Sequence, residues 1–165
     1  MAGWWAGKTR QFRRYLTGSV TAAERQALTG WLTPAQLALF DGMHRADRRH
    51  GLDVVASLRA DGYADDPDLL LAGLFHDAAK GPTVGLLPRV GWSLGEHYGR
   101  TILSATAWLP GFRDAYERLR VHADRSAEMA LAAGCSVATA ELIRHQADPV
   151  DQRAGEALRL ADEAN

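Results

Sequence analysis

The chain has 165 residues, 47% of them hydrophobic and 24% charged, with a formal net charge of −1. That length supports one domain with its own core, and the charge balance removes the electrostatic case for nucleic-acid binding. No stretch approaches the ~20 apolar residues of a membrane-spanning helix, and the single cysteine, Cys135, excludes an internal disulfide and fits a cytoplasmic location.

The N-terminal stretch sets Trp4 and Trp5 beside Arg10, Arg13 and Arg14 and is read as a cap on the core, not as a membrane contact. Thr21-Ala22-Ala23-Glu24 is a capping box that opens a helix to about Leu32. Thr33-Pro34-Ala35-Gln36 repeats the device with proline at the first helical position. These elements, within residues 1–44, are expected to pack as N-terminal helices on a main unit at 45–165. A helix from about Asp47 to Ala60 carries Leu52, Val55, Ala56 and Leu58. Asp65-Asp66-Pro67 starts the next, which runs through Leu69-Leu70-Leu71-Ala72-Gly73-Leu74-Phe75 to His76-Asp77 and stops at Gly81-Pro82.

Arg89 to about Trp108 is expected to be helical despite Gly91, Gly95 and Gly99, with Pro110-Gly111 as its break. Phe112 to Ala133 reads as one long helix or two short ones. Ser136 caps a helix through His145, and a last helix runs from about Asp151 to Ala164. No strand-like alternation and no Asn-Gly hairpin signal occurs. The fold class is all-α, a single compact helical bundle.

The chemistry concentrates at His76-Asp77. A charged Asp at the end of an apolar run is costly unless something neutralises it, and a divalent cation, for which His and carboxylate are ordinary ligands, would do so. Further candidates lie on other helices: His50, His122, His145 and Asp162. Inward side chains on facing helices are a normal way for an all-α fold to build such a site. Cys135, in Ala132-Ala133-Gly134-Cys135-Ser136, reads as a bystander thiol at a helix end.

The ordered set His50, His76-Asp77, Asp162 resembles the HD superfamily of metal-dependent phosphohydrolases, named after its His-Asp doublet. His76-Asp77-Ala78-Ala79-Lys80 resembles the His-Asp-x-x-Lys form of that doublet, and His122-x-x-x-Ser126-Ala127 resembles the segment that supplies a fourth ligand in two-metal members, with Ser126 where Gly is more usual. The resemblance implies that residues 45–165 form an HD domain with an inserted segment at about 82–121. It implies that His50, His76, Asp77 and Asp162 hold one ion, that His122 and His145 complete a second, and that Asp77 bridges the two. The cofactors would be one or two divalent ions per chain, Mn, Fe, Co, Ni or Mg. Asp77 and Lys80 would be the catalytic pair, with Lys80 meeting a phosphate oxygen. The implied activity is hydrolysis of a phosphate ester or anhydride of a small molecule, with a nucleotide as the expected partner. Some HD proteins with the same six ligands are instead di-iron oxygenases, and a non-catalytic metal-binding regulatory module is the third alternative. His97 is a rival to His122, and Arg89, Trp92, Tyr98 and Arg100 are read as packing the inserted segment or as shaping a pocket for a base and its phosphate.

Overall fold

The structure is a computed structural model that describes residues 18–81, 84–99 and 101–165. Trp4, Trp5, Arg10, Arg13, Arg14 and Arg100, and the side chain of His97, lie outside the described residues. The described residues form helices and connecting turns, with no strand.

Several helices begin where a capping side chain satisfies a free N–H group. Helix α1 (Ala22–Leu28) carries the expected capping box: the Thr21 hydroxyl accepts from the Glu24 N–H, and the Glu24 carboxylate accepts from the Thr21 N–H at 2.9 Å. Thr33 and Gln36 do the same for α2 (Pro34–Gly42). Helix α3 (Arg45–Ala60) starts two residues before the expected Asp47, because the His44 ring nitrogen caps it by accepting from the Ala46 N–H. Asp66 caps α4 (Pro67–Phe75), accepting from Leu69 N–H at 3.0 Å.

The stretch expected as one helix from Arg89 to Trp108 is two, α5 (Leu86–Tyr98) and α6 (Thr101–Thr106). Gly99 separates them at φ 109°, a backbone conformation that glycine adopts without steric cost. The next stretch also divides, into α7 (Phe112–Arg120) and α8 (His122–Ala132), at the non-helical Val121. Helix α9 (Val137–Arg144) is capped by Ser136, and α10 (Ala154–Ala164) follows a turn in which the Asp151 carboxylate accepts from the N–H groups of Arg153 and Ala154.

Helix α4 is the apolar axis of the bundle, with α3, α8, α9 and α10 against it. Its Leu69, Leu74 and Phe75 are fully buried, together with Phe40 of α2, Val54 and Leu58 of α3, Ile143 of α9 and Leu158 of α10. The α3–α4 crossing is unusually close. A Cβ on Gly51 would stand 2.5 Å from the Leu74 carbonyl oxygen, and one on Gly73 would stand 2.8 Å from Leu58 Cδ1. Two missing side chains therefore let the backbones touch, which brings His50 of α3 beside the end of α4.

A second, smaller core lies under the 84–121 segment. Val84, Ala115, Tyr116 and Leu119 form it, with Trp92, Leu103, Ala107 and Phe112 packed around. Among the described residues no helix is long and apolar enough to cross a membrane.

Candidate metal centre

His76 is the C-cap of α4, and its φ and ψ remain helical. The chain then leaves the α-helix sooner than the sequence suggests. Ala78 N–H donates to Phe75 O and Lys80 N–H to Asp77 O, both three residues back. The tighter turn folds Lys80 onto Asp77, and Lys80 Nζ lies 2.6 Å from Asp77 Oδ2. Buried Ser126 of α8 holds the turn from behind, its hydroxyl accepting from Ala79 N–H at 3.0 Å.

Four elements converge on this turn. His50 and His76 meet edge to face with ring centroids 5.1 Å apart. His50 Nε2 lies 2.8 Å from Asp162 Oδ1 of α10. His76 Nε2 lies 3.5 Å from that same oxygen and 3.6 Å from Asp77 Oδ1. His122, the first residue of α8, places its Nε2 3.6 Å from Asp77 Oδ1. His50, His76 and Asp77 each offer a ligand atom, and the three atoms lie within 4.8 Å of one another. His76 and Asp77 are 1% and 3% exposed, while the Asp162 side chain, 40% exposed, stands at the mouth.

Two atoms decide what this cluster is suited to. His76 Nε2 and Asp77 Oδ1 are buried and have no hydrogen-bond partner among the described residues. Leaving a buried polar atom unsatisfied costs about 1–3 kcal/mol, and here two such atoms face each other across 3.6 Å. The His76 tautomer is set from the far side of the ring: Nδ1 is 2.9 Å from Gly73 O, and a carbonyl only accepts, so Nδ1 carries the proton. An imidazole fixed in this way presents Nε2 as a ligand. Two imidazoles and two carboxylates fit a divalent ion that accepts nitrogen and oxygen together.

The electrostatics show the same convergence without an ion. Burial works against a charged His76, but the Asp77 and Asp162 carboxylates outweigh it and push His76 up to about 9. Burial would likewise raise Asp77, yet Lys80 and His76 hold its carboxyl well below the usual range. Asp162 is held well below it too, with burial opposing and His76 and His50 prevailing. Lys80 is raised against burial by Asp77 and then Asp47. His122 moves the other way, lowered by burial and by the Lys80 charge.

His145 is not brought to this cluster. It is the C-cap of α9, its side chain is 42% exposed, and its Nε2 faces Glu141 at 3.5 Å. It lines a separate cleft with Asp66, Asp68 and Asp151. The next residue, Gln146, is buried and turns inward instead, with Nε2 3.4 Å from both His76 O and His122 Nε2. Sequence reasoning missed Gln146, and nothing in its residue type marks it.

Sequence reasoning also missed Asp47. This buried carboxylate, one turn before His50, receives two bonds from Arg89, at 2.5 and 2.9 Å. Arg89 Nε also donates to Val84 O. Arg89 thus ties the 84–121 segment to α3 near the mouth, while Trp92 packs on the small core and Tyr98 is exposed. Cys135 is buried, with Gln36 Nε2 3.6 Å from its sulfur.

Comparison of the chain with protein-family models, with curated proteins and with solved structures gives no match.

Proposed function

We propose that this protein is a metal-dependent phosphohydrolase that acts on a phosphate ester or anhydride of a small molecule, with nucleotides as the first class of substrate. The observation that carries the reading is the pair of buried, unpartnered atoms, His76 Nε2 and Asp77 Oδ1, flanked by His50 and Asp162. The sequence resemblance to the HD superfamily rests on these same residues and lends it the reaction class.

His50, His76, Asp77 and Asp162 would hold the ion. When bound, a divalent cation polarises a phosphoryl oxygen and lowers the pKa of water beside it. The chain supplies the rest. Lys80 carries a positive charge at the rim of the cluster, next to Asp77, where phosphate oxygens gain charge as the bond to the leaving group breaks. His122 keeps its proton on Nδ1, which donates to Leu119 O, and so shows an unprotonated Nε2 to Asp77. The buried floor made by His76, Ala78 and Ser126 keeps water off the inner side of Asp77.

The test is a screen for phosphate or nucleoside monophosphate released from mono-, di- and polyphosphate nucleotides with Mn²⁺, Co²⁺ or Mg²⁺. Release that a chelator abolishes, and that Lys80→Ala lowers without lowering metal content, is the expected result. A folded, metal-loaded protein that is inert across the set overturns the reading; oxygen consumption with an organic substrate would then assign it to the di-iron oxygenases.

A further inference from the structure

The two oxygens of Asp77 have unlike surroundings. Oδ1 is buried and unpartnered beside His76, whereas Oδ2 lies 2.6 Å from Lys80 Nζ. A carboxylate that bridges two ions gives one oxygen to each. In this chain the second oxygen already holds a positive charge, delivered by the tight turn that follows α4.

The neighbouring groups agree. His145, the residue whose imidazole would complete a second ion, faces Glu141 instead. Gln146 takes the inward place, and the orientation of its amide follows from its partners. The group 3.4 Å from His76 O must be a donor, because a carbonyl only accepts, so the amide nitrogen lies there and not the oxygen. That same nitrogen lies 3.4 Å from His122 Nε2, so this side of the centre meets an N–H donor where a second ion would need a lone pair. His122 is held on its other nitrogen by Leu119 O.

We propose that the centre takes one divalent ion, on His50, His76, Asp77 and Asp162, and that the Lys80 ammonium stands where a second ion would sit. The inference rests on the metal-dependent reading given above and narrows it. The positive charge that meets the substrate phosphate from this side belongs to the protein, so it is present whether or not metal is scarce.

Isothermal titration of the full chain with Mn²⁺, paired with electron paramagnetic resonance of the loaded protein, tests it. The expected result is one ion per chain and the hyperfine pattern of an isolated Mn²⁺. His122→Ala should keep that one ion. Lys80→Met keeps the aliphatic stem but removes a charge that repels the ion, and it should tighten Mn²⁺ binding by about tenfold. Two ions per chain with an exchange-coupled spectrum would overturn the inference and leave the metal-dependent reading standing. Weaker binding in Lys80→Met, or loss of the ion in His122→Ala, would also overturn it. No binding at all would overturn both. If Lys80→Met does not fold, the wild-type stoichiometry and His122→Ala still decide.

Discussion

Among the described residues, twenty buried apolar side chains make the core beneath His76, while four make the core beneath the 84–121 segment. The candidate site draws on the two unequally. His50, His76 and Asp162 stand on helices of the large core, and α3 and α4 approach at Gly51 too closely for a side chain. The small core contributes residues at the rim: Arg89 on Asp47, and Leu119 as the carbonyl that orients His122. A close-packed interior transmits small volume changes and holds ligand atoms in place, whereas a small core depends on what it docks against. Geometry at the ion should therefore be a property of the bundle, and access to it a property of the segment.

The largest test of that contrast is Gly51→Ala. The new Cβ meets backbone, which cannot rotate away, so α3 must shift from α4. We expect a loss of about 3 kcal/mol in denaturant unfolding, as for overpacking in a core that cannot yield, with weakened Mn²⁺ binding because His50 moves with α3. An unchanged unfolding midpoint would remove the rigid crossing from the account.

Asp47→Ala tests the join between the two regions. It strips the mostly buried Arg89 guanidinium of its bidentate carboxylate, at a cost of about 3 kcal/mol. Hydrogen exchange should speed up across 84–121 and stay unchanged in α4 and α9. Uniform acceleration through the whole chain would show that the segment is not a separate unit of stability.

Protons offer a third test. His76 is pushed up to about 9 by Asp77 and Asp162, so near neutral pH its Nε2 holds a proton that an incoming ion must displace. Mn²⁺ affinity should therefore rise with pH between about 6 and 9, by at most about tenfold per unit for one released proton, and level off above. Titrations in buffers of different ionisation heat would count that proton. Affinity that is flat over the range would mean that binding displaces no proton from His76.

The smallest effect is expected from Gly91→Ala. Its Cβ would meet the Tyr116 hydroxyl, the tip of a side chain in the small core. A cost of about 1 kcal/mol and unchanged Mn²⁺ binding are expected. A penalty equal to that of Gly51→Ala would erase the distinction between the two cores.

Much of this organisation is legible in the sequence because it is local. The Thr21–Glu24 and Thr33–Gln36 boxes, Asp66 before Pro67, and Ser136 announce their helices through side chains three residues apart. The fold brings His50, His76, Asp77, Lys80, His122 and Asp162 close to one another. His145 is not brought there, and the reason is phase. It lies past the last residue of α9, at φ −101° and ψ 20°, where the helical period no longer fixes which of two adjacent side chains turns inward. Gln146 does so, and a pattern search for metal ligands has no cause to notice a glutamine. Asp47 and its pairing with Arg89 were hidden for another reason: a bidentate pair 42 residues apart has no signature until the chain folds.

If His76 Nε2 and Asp77 Oδ1 lack partners among the described residues because they serve a divalent ion, unfolding of the chelator-treated protein with and without Mn²⁺ will show it. An ion bound only by the folded state raises its stability by mass action, about 2.7 kcal/mol at a hundredfold excess over Kd. A clear rise in the unfolding temperature of the wild type is expected, and none for His76→Ala or Asp77→Asn. A wild type whose unfolding temperature ignores Mn²⁺, Fe²⁺, Co²⁺ and Mg²⁺ alike would contradict that role.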